Sequence, residues 1–375
     1  MAPWSDLTFD VLELITSFLP FLDHYRFGAV CKNWRSVSKR RQHPPPPQLP
    51  WLLLEEDKET GKRKFYSLSE AKNYSIEIPE LRGRYICGSS HGWLFAIDIK
   101  IAGILINPFT QECYELPRFP AYGKDTDVTT LIEKKPSDCV KGYTFEEMQT
   151  LLVFKAILSH DPKERSDFTV MILFGEFHTL AFWRPGDSSW TVVDGPKRRM
   201  EDVLYFKGNF YVISSMNGLY VVDFEPEPKL RKVGPEIRIE GCVLQSYLTD
   251  FDGNMLLIER YGRSSKNNRI DTARFTVIEI DLEEHCLYEC YDIDDYALFL
   301  GRNSSIAVDS SHLPECKKNG IYFTHLTESH SGDEFGFHDL GVFDMADKTI
   351  STFYAVEVFP RRVDSPVWFI PKRFW

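Results

Sequence analysis

Apolar positions recur with two different periods along this 375-residue chain. Between Trp4 and Lys39 they follow the period of a helix. Leu7, Val11, Ile15 and Phe18 lie three or four residues apart, and Leu12 and Leu19 widen the stripe. Asp6 is placed to cap a first helix, because a carboxylate accepts bonds from the free N–H groups of a first turn. Pro20 stops that helix. Asp23 is placed to cap a second, with Phe27, Val30 and Cys31 on its apolar side, and Trp34 and Val37 continue into a third. Three short helices bury little surface alone. Leu12, Leu14, Ile15, Phe18, Leu19, Phe21 and Leu22 exceed what they can hide, which predicts either a partner surface or packing of a helical cap onto the rest of the chain.

From Trp51 on, the pattern is apolar strand, polar turn, second strand. It recurs in six hairpins: residues 64–79, 104–117, 180–193, 219–233, 275–291 and 340–354. Their first strands usually end in a polar or turn-forming residue, such as Asn107, Arg184, Asp223, Asp281 or Asp344. Further strands precede each hairpin. Lys207-Gly208-Asn209, Met216-Asn217-Gly218 and Asp252-Gly253 supply the tight turns between them. Units of about four strands at roughly forty-residue spacing predict a mainly β fold, a six-bladed β-propeller behind the small helical module. A sandwich accommodates six similar hairpins less naturally. The first unit is one strand short, and Val367–Ile370 is the spare strand expected to close the ring as its innermost member. The expected division is residues 1–43 helical, 44–50 linker and 51–375 propeller. The linker, His43-Pro-Pro-Pro-Pro-Gln-Leu-Pro50, reads as a stiff spacer, with a docking peptide for a proline-binding module as the alternative.

Charge narrows the functional classes. A formal net charge of −11 disfavours nucleic-acid binding. MAPWSDLTFD has neither the basic start nor the apolar core of a secretory signal, and the longest apolar run, near Leu14–Leu22, is far short of a membrane span. Eight scattered cysteines read as reduced thiols. Cytoplasmic or nuclear residence is expected. Lys39-Arg40-Arg41 and Lys197-Arg198-Arg199 are short basic runs, readable as import signals and more often solvated turns.

Catalytic signals are weak. Gly88-Ser89-Ser90-His91-Gly92 matches G-x-S-x-G, but that nucleophile elbow needs a strand-to-helix turn, and Trp93–Asp98 continues as a strand. His325, His330 and His338 lie with Glu328, Asp333, Glu334 and Asp339 in one polar segment, but their spacing fits no compact zinc site. His285-Cys286 with Cys290 fails C-x-x-C spacing. No catalytic residue, metal or cofactor is expected. The rival to a binding protein is a propeller hydrolase using Ser90 or a metal in the His325–Asp339 segment.

The order of residues in the helical run, D-L-x-x-x-[VL]-L-x-x-I-x-x-x-L, Asp23, then R-F-x-A-V-C-K-x-W-R-S at Arg26–Ser36, resembles the F-box, especially its plant form. The family usually has proline where Thr8 stands here, a departure at the first contact with the adaptor. CGSSHGWL (87–94), ILINPFTQECYELP, LAFWRPGDSSWT and NGIYFT resemble the kelch-like propeller domain that follows the F-box in many plant proteins. The resemblance implies a non-enzymatic substrate receptor. Its F-box docks on a Skp-type adaptor, and through it a cullin, by Leu7, Leu12, Ile15, Leu19, Asp23, Phe27, Val30, Cys31 and Trp34. Its propeller holds an unknown protein for ubiquitination. An F-box scaffold outside ligases is the third reading.

Strand alternation places the long connections. Residues 118–150, 260–273 and 325–339 are expected on one face, with the linker entering on the other. Arg260, Arg263, Lys266 and Arg269 in one connection, and Glu328, Asp333 and Glu334 in another, are the candidate substrate contacts.

Overall fold

The computed structural model describes residues 4–38, 48–57, 59–98, 102–119, 153–175, 178–216, 218–237, 241, 243–264, 270–327, 337–353 and 366–372. A single 3-10 turn, Trp4–Asp6, precedes three helices: α1 (Phe9–Ser17), α2 (Phe21–Val30) and α3 (Lys32–Ser38). Helix α1 begins two residues later than Asp6 would cap. Thr8 occupies the N-cap, extended at φ −63° and ψ 154°, and makes no side-chain cap bond. Pro20 is the N-cap residue of α2, so Asp23 falls inside the first turn, where its charge still favours the helix dipole.

The strands form six sheets. The first blade holds β1 (Trp51–Glu56), β2 (Arg63–Ser67) and β3 (Lys72–Ile76); the second, β4 (Tyr85–Ser90), β5 (Trp93–Ile97), β6 (Gly103–Ile106) and β7 (Cys113–Glu115). The third holds β8 (Val153–Leu158), β9 (Val170–Phe174), β10 (Thr179–Trp183) and β11 (Thr191–Val192). The fourth holds β12 (Met200–Phe206), β13 (Asn209–Ser214), β14 (Leu219–Asp223) and β15 (Lys229–Lys232). The fifth holds β16 (Val243–Phe251), β17 (Asn254–Ser264), β18 (Ile270–Asp281) and β19 (Cys286–Cys290). The sixth holds β20 (Tyr296–Gly301), β21 (Ser304–Asp309), β22 (Gly320–Thr327), β23 (Phe337–Asp344) and β24 (Ile350–Ser351). The last strand, β25 (Val367–Phe369), returns to the first blade and pairs antiparallel with β1, Trp51 opposite Phe369 and Leu53 opposite Val367. The ring is closed by joining the two ends of the propeller, as the spare strand predicts.

The core sits between blades. One apolar cluster fills each of the six interfaces, including Phe95 with Ile172 between the second and third blades and Leu52 with Phe299 and Trp368 between the sixth and first. A blade is therefore covered on both faces, which is why inner strands such as β9 are buried throughout. Outer strands such as β15 are largely exposed.

The sixth blade departs from the expected four strands. Its order from the axis is β21-β20-β22-β23-β24, with β20 and β22 parallel, Ala297 opposite Gly320. Parallel neighbours need a connection that returns the chain to its starting end. Here β21 and the segment Ser310–Asn319 provide it.

Strand direction defines two faces. In the second to fifth blades the turns between first and second strands, including His91-Gly92 and Asp252-Gly253, lie on the face where β1 begins. Both turns have two residues at positive φ (53° and 80°; 49° and 81°), which the twist of adjoining strands favours. The facing ends of the second and third strands of those blades, the end of β7 and the start of β8 lie on the opposite face.

Candidate functional site

Helices α1 to α3 have two apolar sides. Leu12, fully buried, packs with Phe27 and Val37, and Leu7, Phe9, Ile15, Leu19 and Trp34 pack partly buried against them. Phe27 stacks on Trp34 at 4.3 Å. The Trp34 indole N–H donates to the Trp4 carbonyl at 3.1 Å, and Asn33 donates to the Ser5 carbonyl at 3.2 Å, which ties the N-terminal turn to α3. Several residues assigned to partner binding from the sequence, Leu12 and Phe27 above all, are thus the internal core of the module.

What remains outside is displaced by one position along α1. Val11, Leu14 and Phe18, spaced as neighbours on one helix face, are exposed, Leu14 at 60% and Phe18 at 78%. Trp4 (71%) and Val30 are exposed as well. Asp23 is exposed and paired with Arg26 at 2.9 Å, and Cys31 is half-buried. The sequence pattern contained Val11 and Phe18 in its stripe. It could not separate them from Leu12 and Ile15, because a stripe that wide covers both sides of a thin helix.

The rest of the apolar excess is spent on the propeller. Phe21 meets Trp51 edge-on at 5.8 Å and Phe109 at 5.2 Å, and the Tyr25 hydroxyl donates to the Phe109 carbonyl. Burial, then the Glu112 carboxylate, pushes the Tyr25 hydroxyl pKa up. Phe109 lies in the turn between β6 and β7, so α2 is seated on the face where β1 begins. Leu49, in the proline-rich stretch, is also buried, against the sixth and first blades. Residues 39–47, which include the first five of that stretch, lie outside the described residues.

The opposite face receives the strand ends that flank the expected substrate contacts. The ends of β7 and β8, of β17 and β18, and of β22 and β23 that flank the long connections all point to it. Strand pairing continues further than the sequence suggests: β17 runs to Ser264 and β18 starts at Ile270, while β22 runs to Thr327 and β23 starts at Phe337. Arg260 is consequently a strand residue, not a loop residue. It is buried, bonds Asp339 at 2.8 Å and donates to the Thr272 hydroxyl at 2.7 Å, while the Thr272 backbone N–H donates to Asp339 at 2.8 Å. Arg260 therefore serves the packing of the fifth blade on the sixth, a correction to its reading as a substrate contact. Arg263 is exposed at the end of β17. Lys266, Arg269, Glu328, Asp333 and Glu334 lie outside the described residues.

The catalytic candidates resolve structurally. Ser90 ends β4 and leads into an antiparallel hairpin, not a helix, and its hydroxyl accepts from the Leu158 N–H at 3.3 Å. His91 faces Lys372 at 3.3 Å. Gly88 is dictated by packing: a Cβ there would come 2.3 Å from the Ala156 carbonyl oxygen on the neighbouring inner strand. His325 is buried and shares a 2.7 Å hydrogen bond with the Tyr247 hydroxyl; burial, then Arg260, holds its pKa far below the usual histidine range. Among the described residues no group of His, Cys, Asp and Glu is arranged to hold a metal, and no helix is long and apolar enough to cross a membrane. Near the axis, Lys155 on β8 is ion-paired with Asp202 on β12. Asp202 also accepts from Ser305 on β21 at 2.8 Å and from the Leu248 N–H on β16 at 2.9 Å. One carboxylate thus joins four blades, a structural use of charge.

The chain is similar to known proteins over most of its length. Residues 65–344 match the KIB1-4 beta-propeller family, and residues 4–43 match the F-box domain. The chain is similar to the F-box protein SKIP23 of Arabidopsis thaliana, 25% identical over 94% of this chain and 89% of that protein. An F-box/kelch-repeat protein of the same plant is 28% identical over 86% of this chain and 83% of its own length. Among solved structures, the Cps50 (Swd1) beta-propeller domain of Myceliophteria thermophila covers 82% of this chain and 87% of its own, at a TM-score of 0.39 and 9% identity.

Proposed function

The chain belongs to the KIB1-4 β-propeller family and carries an F-box domain, and from that premise we propose that it is the substrate-recognition subunit of a Skp-cullin-F-box ubiquitin ligase. The single observation that carries this reading is the division of the helical module. One side of it is seated on the propeller through Phe21 and Tyr25, while Trp4, Val11, Leu14, Phe18 and Val30 face outward without cover among the described residues. An exposed apolar helix face of this kind supports docking on a helical partner, here the Skp-type adaptor and through it the cullin.

The propeller then acts by proximity. A target held on the face opposite the helices raises the effective concentration of its lysines near the charged ubiquitin carrier, and no chemistry is asked of the propeller itself. The reading extends the helical module to residue 43 and the target-binding unit from residue 51 to the end of the chain. The test is co-purification with adaptor and cullin from plant cells. Retention of both by the wild type, and loss of both in Leu14→Asp with Phe18→Asp, is the expected result. Equal recovery of adaptor with that double variant would sink the assignment.

A further inference from the structure

The run Lys197-Arg198-Arg199 is not a free solvated turn. Asp194 bridges to Lys229 in parallel, with the Leu230 N–H donating to the Asp194 carbonyl at 2.7 Å. Gly195 is pressed against Leu230, where a Cβ would come 2.8 Å from Cδ1. The Ser215 N–H donates to the Arg199 carbonyl at 2.9 Å. These contacts carry the chain from the outer edge of the fourth blade to the turn after β13 and then into β12. The three bases cross the blade on the face opposite the helical module. Lys232 ends the outer strand at the same side, and Met216, 61% exposed, sits in the turn the run passes.

The cations have few counter-charges. Arg199 is 3.5 Å from Glu201, and Arg231 is paired with Asp223. Lys197, Arg198 and Lys232 are exposed and have no ion pair among the described residues. In a chain of net charge −11, three unpaired bases held on one rim next to an apolar side chain form a local field opposite in sign to that of the molecule. The backbone is already fixed, so a ligand would not have to order it.

We propose that this rim of the fourth blade, Lys197, Arg198, Arg199 and Lys232 with Met216, is a docking site for a carboxylate-rich segment of a target protein. The proposal deepens the receptor reading and rests on it for biological meaning. The acidic charge of the rest of the chain argues for an acidic polypeptide over nucleic acid, since a polyanion the length of an RNA would meet repulsion beyond the rim.

The test is fluorescence anisotropy of the full chain with a labelled Glu/Ser peptide, a Lys/Ser peptide of equal length and a labelled single-stranded RNA. Saturable binding of the Glu/Ser peptide alone is expected, weakening as salt screens the charges. Lys197→Glu with Arg198→Glu should weaken it about tenfold or more at unchanged melting temperature. Lys72→Glu on the first blade should leave it intact. Equal peptide affinity in the double variant, or RNA bound as tightly as the peptide, would overturn the proposal. Adaptor recovery on the same preparations reads the ligase assignment separately: its absence in the wild type defeats that assignment, while the anisotropy still decides this one.

Discussion

Replacing Trp368 by alanine should strip the closing strand of its anchor. The side chain is fully buried in the interface of the sixth and first blades, with Phe299 at 5.1 Å and Phe353 at 5.6 Å. Its indole N–H donates to the Leu300 carbonyl at 3.1 Å. Truncating a buried tryptophan costs about 3–5 kcal/mol, and stranding the Leu300 carbonyl adds about 1–3 kcal/mol. A propeller of roughly 320 residues unfolds with an entropy near 0.7 kcal/mol/K, from about 2.1 cal/mol/K per residue. The melting temperature should therefore fall by roughly 6–12 °C. Trp368→Phe keeps most of the packing and loses the hydrogen bond, so a fall of about 2–4 °C is expected. Differential scanning calorimetry of the three proteins reads both values. A drop below about 2 °C in Trp368→Ala would refute closure by β25 as a determinant of stability.

Other substitutions separate the two sides of the helical module and the uses of buried charge. Phe18→Asp should abolish adaptor pull-down without changing the melting temperature, whereas Leu12→Asp should lose the module's helical signal in circular dichroism, since it places a carboxylate among Phe27 and Val37. Lys155→Met leaves Asp202 buried without its cation and should cost about 3–5 kcal/mol in urea denaturation. His178 is buried, stacked on Phe154 at 3.9 Å, and donates to the Met200 carbonyl at 2.8 Å; burial, then Arg199, lowers its pKa to about 3. The unfolded chain binds that proton at higher pH than the folded one, so stability should fall as pH drops from about 6.5 toward 3. His178→Asn, tolerant of the φ of 45° there, should flatten that slope in urea midpoints. Alkylation without reductant should label exposed Cys113 and Cys286 first and buried Cys87 last, because burial raises the Cys87 pKa and closes access.

The six hairpins were legible because each outer pair carries its own turn and its own apolar run, a local signal. Ring closure was legible by counting, since an unpaired Val367–Ile370 and a first blade one strand short have a single joint solution. For the connections after β7 and β17 the flanking strand ends lie on the face that alternation requires; the connection after β22 joins the third and fourth strands from the axis, not the second and third, and its flanking ends reach the same face because β20 and β22 are parallel. The sixth blade did not follow. Its parallel pair β20–β22 depends on a return through Ser310–Asn319, and no local pattern distinguishes a parallel neighbour from an antiparallel one.

The candidate sites divide in the same way. Composition and spacing alone determined that the N-terminal helices have more apolar surface than they can bury, that the body is a closed ring of hairpins, and that Ser90 has no helix behind it. Only the tertiary structure decided which apolar residues remain outside. Phe21 and Phe18 are three residues apart and equally hydrophobic, yet one is packed on Trp51 and Phe109 while the other is exposed. Arg260 and Arg263 are likewise three apart in one basic stretch, and Asp339, distant in sequence, buries the first and leaves the second exposed. The reason is physical: burial and ion pairing are properties of the surface that arrives from another part of the chain, and a one-dimensional pattern specifies the chemistry of a residue but not its neighbour.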